Sequence, residues 1–136
     1  MADPIALTAL IADRLAIGAV PARYCRGIDR CDADELRRVF SADARIDYGA
    51  SGQLLAALRA MRMTHHSIAN TIIEIEGDVA RSETYVTAVH IVGLPGQWIE
   101  MVVGGRYLDR FARAPDGWRI AERLYVMDWN RQGPSS

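Results

Sequence analysis

The stretch VARSETYVTAVHIV, Val79 to Val92, decides the fold, because small and apolar side chains recur there at every second position. Ala80, Ser82, Thr84, Val86, Ala88, His90 and Val92 share one face of a strand, and that face reads as a cavity wall. Ser67–Glu76 precedes this run, and Gln97–Arg113 and Trp118–Asn130 follow it, each rich in β-formers. The separators are Gly77-Asp78, Gly93–Gly96 and Pro115-Asp116-Gly117. Gly and Asp tolerate positive φ and Pro presets its own, so each separator is a turn. Gly104-Gly105 within the third run predicts a bulge or sharp bend, which curves a sheet. Residues 132–136 read as a disordered tail.

Upstream the pattern is helical. Residues 3–31 carry Leu7, Leu10, Ile11, Arg14, Leu15 and Ile17 on a rough stripe, with Asp3 as N-cap and Pro4 in the first turn. Gly18 and Pro21 predict a break or kink. Asp32 followed by Glu35 is a capping signal for a short helix over Ala33–Phe40, which makes Asp32 structural. Ala44–Gly49 reads as a short strand and Gly52–Met63 as another helix. Helices followed by long antiparallel strands describe an α+β domain, with the helices on one face of a bent sheet around a conical cavity.

Composition removes several functions. The chain has 136 residues, one domain's worth, and a net charge of −1, which gives no electrostatic reason to bind nucleic acid or anionic membranes. All 16 basic residues are arginine, so a Schiff-base lysine and a P-loop lysine are excluded. Cys25 and Cys31 lack the spacing of zinc or redox pairs and read as reduced thiols. No signal peptide is indicated, and no segment reaches the uncharged apolar length needed to span a bilayer. The expectation is a cytoplasmic protein.

Three groups carry chemistry: Tyr24 and Asp29 in Y-C-R-G-I-D, and His66 in T-H-H-S-I-A-N. A carboxylate beside an imidazole makes a general base, and a phenol beside both donates a proton or a hydrogen bond. On an ideal helix Tyr24 and Asp29 lie about 140° apart, so they share a cavity only if the helix bends or ends between them, as Gly27 would permit. Alternation places His66 inward with Ile68, Asn70 and Ile72, and His65 outward.

The run R-Y-C-R-G-I-D-R-C-D-A-D-E-L-R-R-V-F-S-A-D-A-R-I-D-Y, the H-x-x-x-N of His66–Asn70, and G-G-R-Y-L-D-R-F…D-G-W-R-I-A resemble the SnoaL-like branch of the nuclear-transport-factor-2-like superfamily. That branch is similar to scytalone dehydratase, bile-acid 7α-dehydratase and lindane dehydrochlorinase. The resemblance runs from about Arg14 to Asn130 and implies an NTF2-like cone with Asp29, His66 and Tyr24 as catalytic residues. It also carries a second polar pocket residue onto His90.

The dull readings stand beside these. His90 is as readily a hydrogen-bonded core residue as a catalytic one. Asn70 either orients substrate or satisfies backbone groups, and Tyr48 and Trp129 either line the pocket or pack. Trp98 and Trp118 read as packing. Ligand spacing for a metal is absent, and no cofactor is expected. Arg106, Asp109, Arg110, Arg119, Glu122 and Arg123 read mostly as a solvated or subunit-contacting face with cross-strand ion pairs. The resulting expectation is a cofactor-independent dehydratase acting on a hydrophobic hydroxylated ring of steroid, terpenoid or polyketide type. The alternatives are an isomerase or cyclase with the same residues, or a non-catalytic binding or assembly subunit. Long edge strands predict a homo-oligomer, trimer or dimer.

Overall fold

Three tight turns fold the β-rich half back on itself. Glu76 pairs with Val79, Leu94 with Gln97 and Ala114 with Gly117, so each link is a two-residue hairpin. Gly77 and Gly96 take φ of 62° and 78°, the left-handed region their turns demand, and Gly117, the first residue after the third turn, takes 138°. The computed structural model describes residues 1, 3–49 and 61–136. Its elements are helices α1 (Pro4–Asp29) and α2 (Ala33–Val39), then strands β1 (Phe40–Asp47), β2 (Met61–Glu76), β3 (Val79–Leu94), β4 (Gln97–Ala114) and β5 (Gly117–Pro134). The sheet order is β1-β5-β4-β3-β2, antiparallel except where β1 runs parallel to β5.

Several boundaries differ from expectation. The long strands extend further, and β5 pairs with β4 as far as Pro134, so the expected disordered tail is strand up to that residue. Its backbone groups are satisfied by the β4 ladder, which outweighs the weak strand propensity of Gln132-Gly133-Pro134. The first strand spans Phe40–Asp47 rather than Ala44–Gly49. Of the expected helix Gly52–Met63, residues 52–60 lie outside the described residues, and Met61–Met63 already belong to β2.

Helix α1 runs unbroken through Gly18 and Pro21, where a break or kink was expected. Pro21 removes one backbone donor, but its ring is fully buried, and that packing offsets the lost bond. Gly27 does not end the helix either. A Cβ there would lie 2.8 Å from the Leu36 side chain, so this glycine admits the close approach of α2. The helix stops two residues on. Cys31 turns left-handed at φ 52°, and the Asp32 N–H bonds back to the Gly27 carbonyl at 2.8 Å. Asp32 then caps α2 by accepting from the Glu35 N–H, its expected structural role. Cys25 and Cys31 are unpaired.

The register settles which face each strand residue takes. Ala80, Ser82, Thr84, Val86 and Ala88 face the helices, as expected, and the core joins Ile17, Val20 and Tyr24 of α1 to Tyr107, Phe111, Ile120 and Tyr125. A register shift at Gly104/Gly105 is the predicted bulge. The two glycines serve opposite faces: a Cβ on Gly104 would strike Trp129, and one on Gly105 would strike the Tyr125 ring. A second shift, between Ile68 and Thr71, was not expected and has consequences for the site.

Over an 18-residue window α1 reaches a mean hydropathy of 1.6, so by length and composition alone it is long and apolar enough to cross a membrane. That corrects the sequence reading that no segment is. In the fold its C-terminal half supplies core, and polar groups tie it to the sheet. The Arg14 guanidinium donates to the Ile73 carbonyl at 3.1 Å. Asp13 accepts two bonds of 2.8 Å from Arg113 and one of 3.0 Å from the Trp118 indole. Those bonds hold the Asp13 carboxyl down at about 2, against an ordinary 3.8. The unfolded chain therefore binds that proton more readily than the fold does. The contact's stabilisation is complete above the ordinary carboxyl value and is lost as pH falls towards 2. Thermal denaturation across pH should show Asp13→Asn less stable than the parent at neutral pH, with the gap closing as pH approaches 2.

Candidate active site

The C-terminus of α1 meets the start of β2, and there the two expected groups join. His66 Nδ1 lies 2.6 Å from Asp29 Oδ1. The same carboxylate accepts from the His66 backbone N–H at 2.9 Å and from the Thr64 hydroxyl at 2.9 Å. These three contacts fix Asp29 where the helix dipole disfavours a negative charge. With Nδ1–H donating to the carboxylate, the lone pair of His66 resides on Nε2. The His66 side chain is 7% exposed and that of Asp29 18%, so the pair is shielded without being sealed. His65 is exposed on the other face, as alternation required.

Tyr24 reaches the same place from deeper in α1. Its ring meets the His66 ring edge-on, with centroids 6.3 Å apart. Its hydroxyl does not bond to the dyad but pairs with the Tyr48 hydroxyl at 2.9 Å. Burial, then the neighbouring Tyr107 and Tyr48, push the Tyr24 phenol well above its ordinary value, with Arg123 opposing. Tyr24 is therefore a neutral hydrogen-bond donor at physiological pH. Tyr48, expected to line a pocket, is half-buried at the outer end of this hydroxyl pair.

His90 is buried and stands edge-on to His66, with ring centroids 5.5 Å apart. Burial first, and the His66 charge second, lower its pKa below the ordinary 6.5, so it is a neutral imidazole beside the dyad. No group of three His, Cys, Asp or Glu side chains converges in a metal-binding arrangement among the described residues.

Two expected site residues lie elsewhere. The extra residue between Ile68 and Thr71 turns Asn70 and Ile72 away from the helix-covered face, where Thr71 takes the inward place and bonds to Thr84 at 2.8 Å. The alternation that joined Asn70 to His66 fails at that bulge. Trp129 lies over Gly104 on the outer face, 50% exposed. Asn70 and Trp129 instead meet each other, lining with Tyr85 and Asp128 a shallow outer hollow of about 320 Å³.

The sequence reading also missed an internal ion pair. Asp109 and Arg123, assigned to a solvated face, point inward from β4 and β5 and are both 0% exposed at the side chain. They form two bonds of 2.7 Å. The guanidinium carbon lies 3.8 Å from the Tyr107 ring centre and 4.2 Å from that of Tyr24. Burial opposes the charge, but the bonds to Asp109 outweigh it and hold Arg123 protonated above its ordinary value. A signal was present: Asp109 shares its strand parity with Tyr107 and Phe111, and Arg123 shares its own with Tyr125. The remaining charges do lie outward, with Arg106 bonded to Asp128 and Glu83, and Glu122 to Arg45.

This architecture is an NTF2-like cone, helices packed on a curved sheet with a His–Asp pair held between them. A family model for the SnoaL-like domain matches residues 9–124, and the chain belongs to that family. An uncharacterized protein of Mycobacterium tuberculosis (strain ATCC 25618 / H37Rv) is 33% identical over 125 residues, covering 84% of each chain. Among solved structures, the Kfla4162 protein from Kribbella flavida is 26% identical with a TM-score of 0.79, covering 90% of this chain and 95% of its own. A protein named as a candidate scytalone dehydratase from Novosphingobium aromaticivorans DSM 12444 shares the fold at 18% identity and a TM-score of 0.79, covering 92% and 90%. The type 2 hexachlorocyclohexane dehydrochlorinase LinA does so at 17% and 0.74, covering 93% and 90%. The fold neighbours thus include proteins of the dehydratase and dehydrochlorinase type.

Removing one partner of the buried pair strands the other as an unpaired interior charge, at a cost of roughly 3–5 kcal/mol. Arg123→Met should therefore lower the free energy of unfolding by about that amount in denaturant titrations, while the double variant Arg123→Met with Asp109→Leu recovers much of the loss.

Proposed function

We propose that the protein is a cofactor-independent lyase that removes water, or another small leaving group, from a hydrophobic hydroxylated ring of steroid, terpenoid or polyketide type. The observation carrying this reading is the 2.6 Å contact between His66 and Asp29, with the carboxylate oriented by two further donors. Asp29 selects the tautomer and stabilises the imidazolium once it forms. His66 Nε2 takes a proton from the carbon adjacent to an activating carbonyl. The electron pair moves towards the carbonyl oxygen, which the Tyr24–Tyr48 hydroxyl pair stabilises by hydrogen bonding.

The raised pKa of Tyr24 makes it a poor acid but a good neutral donor. The proton leaving with the hydroxyl is therefore the one His66 took. As the carbon–oxygen bond breaks, the imidazolium protonates the departing oxygen, water leaves, and both His66 and the tyrosines return to their starting states. The small side chains of Val86 and Ala88 beside His66 suit an apolar ring at this position. Neutral His90 adds a polar contact without a competing charge. A double-bond shift or ring closure would use the same base and the same oxyanion donors. Self-association through the outer sheet face accords with the exposed Ile72, Tyr85, Leu124 and Trp129 on it.

The test is turnover of hydroxylated steroid, terpenoid and aromatic polyketide panels, read by mass spectrometry without added cofactor. Loss of one water's mass is expected, and unchanged mass with shifted absorbance would identify isomerisation or cyclisation instead. Asp29→Asn and His66→Ala should each retain the fold by circular dichroism and lower kcat by about 10²–10⁴-fold. Undiminished turnover in both variants would remove the dyad from the chemistry.

A further inference from the structure

On the side away from the core, α1 presents apolar side chains where a surface helix ordinarily carries charge. Ile5, Thr8, Ala12, Leu15, Ala19, Ala22 and Arg26 recur at alternating spacings of three and four, which aligns them as one seam. All of them are exposed. The seam lies roughly 150° round the helix from the buried Ile17, Val20 and Tyr24. Ile5 and Leu15, at 79% and 72%, are more exposed than any other large apolar side chain described except Met1.

The charges of this helix do not serve that face. Between Pro4 and Ala22 the only charged residues are Asp13 and Arg14, and both turn to the sheet, Asp13 to Arg113 and Arg14 to the Ile73 carbonyl. Helix α2 packs at Gly27 and leaves the seam open. An uncharged seam about 26 Å long, from Ile5 to Ala22, thus stands in water with nothing among the described residues over it. A lipid surface suits it poorly, because an interfacial helix carries a basic, polar face behind its apolar one, and here the protein's own sheet lies behind.

A second copy suits it in both shape and charge. A two-fold axis passing between Asp13 and Arg14 sets two α1 helices antiparallel. Ile5 of one then opposes Ala22 of the other, Thr8 opposes Ala19, and Leu15 opposes Ala12, so each larger side chain meets an alanine. The same alignment brings the acidic start of each helix, Asp3, to the level of Arg23 and Arg26 on the other. All three are exposed, and Arg26 has only a long 4.0 Å contact, to Asp32, within its own chain. Parallel pairing would set Arg26 against Arg26 instead.

We propose that the outward face of α1 is a dimer contact, on which a second copy of this chain packs its own α1 antiparallel. The contact is separate from the outer sheet face and independent of the reading of His66 and Asp29. A strip one helix wide makes a small interface, so the dimer is weak, with a Kd on the order of micromolar.

Sedimentation equilibrium on the full chain reads the assembly. Leu15→Glu should halve the parent's mass at the same concentration, whatever assembles through the outer sheet face, and should keep its far-UV circular dichroism. Mild oxidation in a Cys31→Ser background reads the orientation. Thr8→Cys with Ala19→Cys in one chain should give a disulfide-linked dimer. Thr8→Cys alone should not, since the axis sets its two copies about 16 Å apart. An unchanged mass in Leu15→Glu overturns the proposal, and so does cross-linking of Thr8→Cys alone as readily as the pair. Flotation of the parent with phosphatidylcholine vesicles, lost in Leu15→Glu at unchanged mass, would assign the face to a lipid surface. A Leu15→Glu protein that melts several degrees lower at unchanged mass would mean that the chain covers this face itself.

Discussion

The constraint on which the rest of the interior depends is the buried pair of Arg123 and Asp109. Each ion loses water at a cost of several kcal/mol, which only close, well-oriented bonding can offset. The two bonds of 2.7 Å do this for one edge of the guanidinium, and the rings of Tyr107 and Tyr24, set edge-on to each other, both lie close against it. Such cation–π contacts are worth about 2 kcal/mol once desolvated. A planar cation with one edge bonded and two aromatic rings against it fixes the orientation of everything that touches it. Tyr24 lies against it, and through Tyr24 the edge of His66 and the hydroxyl of Tyr48 are placed. Lysine, with no plane to stack and no fork to offer, would not specify the arrangement in the same way.

Much of the fold was legible because its sheet obeys simple alternation over long runs. Three two-residue turns fall on glycine-bearing separators, and the Gly104-Gly105 pair marks a true register shift. The dyad was legible for a different reason: Asp29 closes α1, and the alternation of His65 and His66 leaves one imidazole of that pair facing inward. What was not legible followed from counting. Alternation carries no warning of an inserted residue, so the bulge between Ile68 and Thr71 moved Asn70 to the outer face unannounced. Glycine and proline at 18 and 21 argued for a broken or kinked α1, yet the burial of Pro21 and the docking of Asp13 and Arg14 on the sheet hold the helix through them.

The misreading of Asp109 and Arg123 has a separate lesson. Charged residues alternating with apolar ones resemble a solvated face, and four of the six charges on that hairpin fit this description. The two exceptions differ in parity, since Asp109 alternates in step with Tyr107 and Phe111, and Arg123 with Tyr125, rather than against them. Opposite charges on adjacent strands, both in step with aromatics, can only be a buried pair or a pair of errors. The pairing of Asp109 with Arg123 across the ladder decides for the former.

Asp29 stands where its own helix disfavours it. A helix C-terminus repels a carboxylate by a few tenths of a kcal/mol to about one, whereas three residues later the N-cap at Asp32 would welcome it. The chain places acidic groups at both, and only Asp29 is approached by an imidazole. Its three hydrogen bonds all come from the first residues of β2, so the carboxylate also closes α1 onto the strand that carries His66. A neutral amide at this position would keep some of these contacts but could not stabilise an imidazolium. In the mechanism we propose, the electrostatic misfit at the helix end is tied to the one step in which a charge appears on His66. That tie distinguishes Asp29 from Asp13, whose low pKa arises from Arg113 and Trp118 and whose role ends with holding α1 on the sheet.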